Sequence, residues 1–140
     1  MMTDDIYQGQ ERRQFIRLDY LKPLAYKICK KETIDKLLEG YTANVSEAGL
    51  LCSIHDKITS GDILWLSFDR DTLVICHDLE KRSVIYQKGI IGKVVRIHLR
   101  HDGNYEVGIK FITREEKSAP HTRSAIELLK DIHEGQNHQS

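Results

Sequence analysis

Three arginines crowd into the stretch from position 12 to position 17: Arg12, Arg13 and Arg17, an R-x-x-x-R with a further arginine in front. Arginine carries a planar fork of five N–H donors that fits phosphate oxygens and the O6/N7 edge of guanine, where lysine offers only a point charge. Further along, Asn44-Val45-Ser46-Glu47-Ala48-Gly49 spells [D/N]-x-S-x-x-G. Asn44 and Ser46 are two apart, so a strand presents them on one face while Ala43 and Val45 turn to the core. Gly49 is expected to let the turn fold back with a positive φ. A short polar pair on a strand, with an arginine-rich segment able to close over it, makes a candidate nucleotide clamp.

Other reactive residue types lead less far. Cys52-x-x-His55 and His98-x-x-His101 have metal-like spacing, but there is no C-x-x-C pair, and on a strand His98 and His101 point to opposite faces. No metal site is expected. Ser46 and Ser53 lack the context of a nucleophile elbow, and Cys76 and His77 are neighbours, which aims their side chains apart on a strand. No catalytic residue and no cofactor are expected. Trp65 reads as core.

The whole chain has 140 residues, with 21 basic and 21 acidic side chains, which excludes a protein that works by bulk charge on DNA or anionic membrane. The charge is nevertheless uneven: residues 11–31 hold seven basic against two acidic residues, a net +5, and residues 1–10 hold Asp4 and Asp5. Three widely spaced cysteines (Cys29, Cys52, Cys76) argue for reduced thiols. No run is apolar enough for a spanning helix, and the start, MMTDDIYQGQ, does not look like a leader. A cytoplasmic location is expected.

Elements that position the motifs follow from periodicity. Leu24, Tyr26 and Ile28 alternate with polar neighbours, as do Tyr41, Ala43 and Val45, which predicts half-buried strands. Residues 32–40 read as a connection with a short helical turn ending at Gly40. After the turn at 46–49, residues 50–53 resume a strand, and Gly61-Asp62 introduces another over 63–68. Residues 73–76 and 83–86 read as strands with 77–82 turning between them, or else as a helical insertion. The last strand pair is clearest. A three-residue loop, His101-Asp102-Gly103, pairs Leu99 with Tyr105, Ile97 with Val107 and Val95 with Ile109, with Gly103 left-handed. Pro120 then opens a helix whose Ala125, Leu128, Leu129 and Ile132 form one apolar stripe, with Gly135 as its stop.

Taken jointly and in this order, the two motifs resemble those of the PilZ domain family, whose members bind cyclic di-GMP. The resemblance covers roughly residues 11–112 and extends to Gly92-Lys93-Val94-Val95-Arg96 and to Glu106-Val107-Gly108-Ile109-Lys110-Phe111. It implies an all-β core, a six-stranded antiparallel Greek-key β-barrel with a C-terminal α-helix. The expected organisation is a flexible tail over 1–10, the barrel over 11–112, a helical segment over 113–134 and a frayed tail over 135–140. The resemblance also implies that Arg13 and Arg17 grip phosphates and guanine edges, with Arg12 as a third contact. Asn44 and Ser46 would meet guanine or phosphate, and Gly49 would shape the turn.

The function so implied is that of a receptor and adaptor for cyclic di-GMP, not an enzyme. Its N-terminal segment would become ordered on binding and change a protein-interaction surface. The partner is a protein of motility, pilus or exopolysaccharide machinery, with no nucleic acid and no membrane insertion. One alternative is an interaction adaptor that keeps the barrel and binds no messenger. Another is a nucleic-acid-binding barrel, which the 7% aromatic content disfavours because such a groove interleaves aromatics with lysines.

Overall fold

The computed structural model describes residues 15–69 and 76–139. Among the described residues seven strands appear: β1 (Phe15–Ile28), β2 (Leu38–Ser46), β3 (Gly49–Ile54), β4 (Ile63–Phe68), β5 (Ile85–Tyr86), β6 (Gly89–Leu99) and β7 (Tyr105–Phe111). Helix α1 (Cys76–Arg82) precedes β5, and helix α2 (Pro120–Gln139) ends the chain. Hydrogen bonding follows the order β4-β1-β2-β3-β7-β6, and β4 also pairs with β6, so six antiparallel strands close into a barrel. The two-residue β5 hangs on β6 as a hairpin. The order β4-β1-β2-β3 is a Greek key: three sequential strands, with the fourth returning beside the first.

Closure removes the sheet edges and leaves an interior to be filled. Tyr26, Val45, Leu66, Ile90 and Val107 fill it, joined by Leu79 of α1. The buried Tyr26 hydroxyl donates to Asp56 Oδ2 at 2.9 Å; burial first, and then that bond, push its pKa upward. A second core lies outside the barrel, where Ala125, Ile126 and Leu129 of α2 pack on Ile34, Ile91 and Ile112. The expected stripe therefore docks on the barrel itself, with Leu128 and Ile132 at its margin. Among the described residues no helix is long and apolar enough to cross a membrane.

Several local expectations are corrected. Gly40 lies inside β2, since the turn at 31–35 ends short of it. Of the two readings of 77–82 the helical one holds, as α1, while the strand over 83–86 shrinks to β5 plus a bridge from Ser83 to Thr113; of 73–76, only Cys76 is described. Helix α2 runs past Gly135 to Gln139. In the last hairpin Leu99 pairs with Tyr105 and Ile97 with Val107, as the three-residue loop requires, and Gly103 has φ 88°. Val95 does not pair with Ile109; Val94 does, because a bulge at Val95 shifts the register. Val95 is therefore exposed and Val94 is fully buried.

Candidate functional site

The first three strands bring the two motifs together. In β1 and β2, Phe15 pairs with Ser46, Ile16 with Val45 and Arg17 with Asn44. The second arginine of R-x-x-x-R thus stands at the register position of the asparagine of N-x-S-x-x-G. Arg12 and Arg13 lie outside the described residues.

A bulge decides which way Asn44 faces. Thr42 pairs with Cys52 of β3 and Asn44 with Leu51, so Ala43 is the extra residue on β2. Inward positions before the bulge are Gly40 and Thr42; after it the parity changes, and Val45 is the inward residue. Without the bulge Asn44 would share the core face of Thr42; with it, Asn44 is half-buried at the surface. The simple alternation of Tyr41, Ala43 and Val45 is corrected accordingly. Tyr41 is exposed, Ala43 is the half-buried bulge, and only Val45 is core.

Ser46 is only 1% exposed, because the turn closes over it. Its Oγ accepts the N–H groups of Ala48 and Gly49, each at 3.1 Å, and donates to the Gly49 carbonyl oxygen at 3.2 Å. One donor and two acceptor sites are all a hydroxyl has, so the turn uses this one fully. Gly49 departs from expectation in its reason. It is not among the residues with positive φ. It is held against β7 as the partner of Lys110, and a Cβ there would run into the Ile109 carbonyl oxygen. The Phe111 N–H donates to the Ala48 carbonyl at 2.8 Å, closing the turn onto β7.

One residue near this turn carried no signal in the sequence. Arg82, at the end of α1, places Nη1 3.1 Å from Glu47 Oε1, with the arginine side chain 58% and the glutamate 31% exposed. The reactive residues set aside above stay apart. Cys52 is buried, while the His55 ring is exposed and bonded to Asn104 Oδ1 at 3.0 Å. Burial pushes the thiols of Cys29 and Cys52 up to about 12, which removes both as nucleophiles at neutral pH. Among the described residues no three potential metal ligands cluster. Trp65 is half-buried beside the second core, and its indole N–H donates to the Tyr86 carbonyl at 2.6 Å.

The family model described as PilZ domain matches residues 11–127, the greater part of the chain. Among curated proteins none matches the chain. Among solved structures, the Bacillus subtilis inhibitor of motility (MotI/DgrA) aligns at 18% identity and TM-score 0.46, covering 91% of this chain and 52% of its own. The K. pneumonia MrkH–c-di-GMP complex aligns at 12% identity and TM-score 0.46, with coverages of 94% and 55%. The PilZ domain with c-di-GMP of YcgR from Escherichia coli aligns at 9% identity and TM-score 0.42, with coverages of 91% and 96%. This chain spans about half the length of the first two.

Proposed function

The chain belongs to the PilZ domain family, and from that membership we propose that it is a receptor for cyclic di-GMP. The observation that carries the reading is the register pair of Arg17 and Asn44, which unites two motifs far apart in sequence. Directly opposed residues of an antiparallel pair share a face of the sheet, so one ligand would meet both. Arg13 and Arg17 would hold phosphates and guanine edges, with Arg12 adding a third fork. Asn44 is the strand contact. Ser46 and Gly49 serve the same ligand by fixing the turn, the first through its saturated hydroxyl and the second through its approach to β7.

Three or four charge-assisted hydrogen bonds at roughly 1.5–3 kcal/mol each and guanidinium stacking on purine worth ~1 kcal/mol, less about 1 kcal/mol or more for every residue ordered, leave at most about −8 kcal/mol, or micromolar binding. That range suits a reversible messenger. Binding would gather the arginine segment onto the barrel and change the surface offered to a protein partner. The partner belongs to the motility, pilus or exopolysaccharide class that the family suggests.

Isothermal titration with cyclic di-GMP, using GTP and cyclic AMP as controls, tests the ligand. Saturable, selective heats are expected, and the stoichiometry distinguishes one molecule from a stacked pair. Flat heats, confirmed by a second binding probe, would overturn the reading in favour of an adaptor that binds only protein. Amide exchange at residues 8–18 tests the ordering step: protection should rise with nucleotide, and no difference would refute it.

A further inference from the structure

The signature turn contains an acidic residue where an anionic ligand is to bind. Glu47 is the one carboxylate between Tyr41 and His55, and it sits between Ser46 and Ala48, three residues beyond Asn44. A carboxylate at that place repels phosphates, and in a partly desolvated turn the repulsion is screened less than in open water. The structure supplies a compensating charge from elsewhere in the chain: Arg82 Nη1 lies 3.1 Å from Glu47 Oε1, across 35 residues of sequence.

The base of that arginine is firmly placed. Leu79, one turn earlier in α1, is fully buried in the barrel interior. Arg114 donates from Nη2 to the Glu80 carbonyl at 2.6 Å and from Nε to the Ser83 carbonyl at 3.3 Å, capping the end of the helix. Ser83 bridges to Thr113, and the Val84 N–H donates to the Ile112 carbonyl at 3.0 Å. An exposed ion pair usually gains little because two long side chains must be ordered. Here the backbone beneath one partner is pinned on both sides, which lowers that cost.

We infer that Arg82 is a positioning residue of the dinucleotide site, acting through Glu47. It neutralises the carboxylate of the signature turn and so makes the turn receptive to phosphate, tying helix α1 to ligand affinity. This inference rests on the cyclic di-GMP reading above.

A charge-neutralisation cycle tests it, with cyclic di-GMP titrated into wild type, Arg82→Ala, Arg82→Lys, Glu47→Gln and the double variant, and thermal melts to verify folding. Arg82→Ala should weaken binding about fivefold at low salt, with the loss shrinking as salt rises. Arg82→Lys should recover most of it, since a point charge suffices to neutralise a carboxylate. In the Glu47→Gln background, Arg82→Ala should change affinity less than twofold. A merely structural pairing would instead make Glu47→Gln weaken binding by itself, where neutralisation predicts no loss. Unchanged affinity in Arg82→Ala would overturn the inference while leaving the receptor reading intact. An equal loss in both backgrounds would also overturn it, because Arg82 would then touch the ligand directly. A wild type that binds nothing would overturn the receptor reading and this inference together.

Discussion

Two hairpin turns of the barrel reverse the chain by opposite means. The turn at 46–49 is built by what surrounds it: the Ser46 hydroxyl makes three hydrogen bonds inside it, β7 presses on Gly49, and Arg82 reaches Glu47 from helix α1. The turn at 100–104 is built by its own residues. Asp102 Oδ1 accepts the Asn104 N–H at 3.0 Å, Gly103 adopts φ 88°, and nothing lies within reach of a Cβ added to Gly103. One loop is written locally and can be exchanged for another with little effect on the barrel. The other is coupled to two further elements, β7 and α1, which is the condition for a site whose occupancy is felt elsewhere.

The largest expected effect separates the two glycines. Gly49→Ala must push β7 away from β3 and should cost about 3 kcal/mol, whereas Gly103→Ala has room and loses only backbone ease, about 1 kcal/mol. Urea unfolding of the two variants measures both, and equal losses would erase the distinction. Next come the polar groups that organise each turn. Ser46→Ala orphans the Ala48 and Gly49 N–H groups in a closed turn and should cost about 2 kcal/mol. Asp102 lies in open water, with its pKa lowered chiefly by the Asn104 backbone N–H, so Asp102→Ala should shift the same unfolding curve only slightly.

An effect that emerges only at alkaline pH sharpens the contrast. Cys52, on the strand that leaves the packed turn, has its thiol raised from 9.0 to about 12 by burial. The folded state keeps a proton that the unfolded chain gives up above pH 9. Stability from this group is therefore whole below pH 9 and declines as pH rises toward about 12. Between about pH 8.5 and about pH 10.5, wild type should lose about 1–2 kcal/mol more than Cys52→Ala. Parallel alkaline slopes in urea unfolding would contradict it.

What the sequence made legible divides along the same line. The register of the β6–β7 hairpin was readable because Asp102 and Gly103 specify their turn locally, and α2 because Pro120 and an apolar stripe specify a docked helix. The bulges at Ala43 and Val95 were not readable, since one inserted residue reverses the parity that alternation relies on and leaves no composition signal. Helix α1 was left among alternatives because Leu79 is the one apolar side chain between His77 and Arg82. The motif residues of the site were legible as types and spacings, but the reason for Gly49 was not. It depends on the approach of β7, which lies far along the chain, as the contact between Glu47 and Arg82 depends on α1.

The central claim is that Arg17 of β1 and Asn44 of β2, paired across the sheet, serve one ligand. Its most direct test is a double-mutant cycle read by titration with cyclic di-GMP, using Arg17→Ala, Asn44→Ala and the pair. The account predicts that Arg17→Ala weakens binding about tenfold or more. It also predicts that the double variant loses less than the two single losses combined, as expected for residues that share a contact. Unchanged affinity in Arg17→Ala would contradict it.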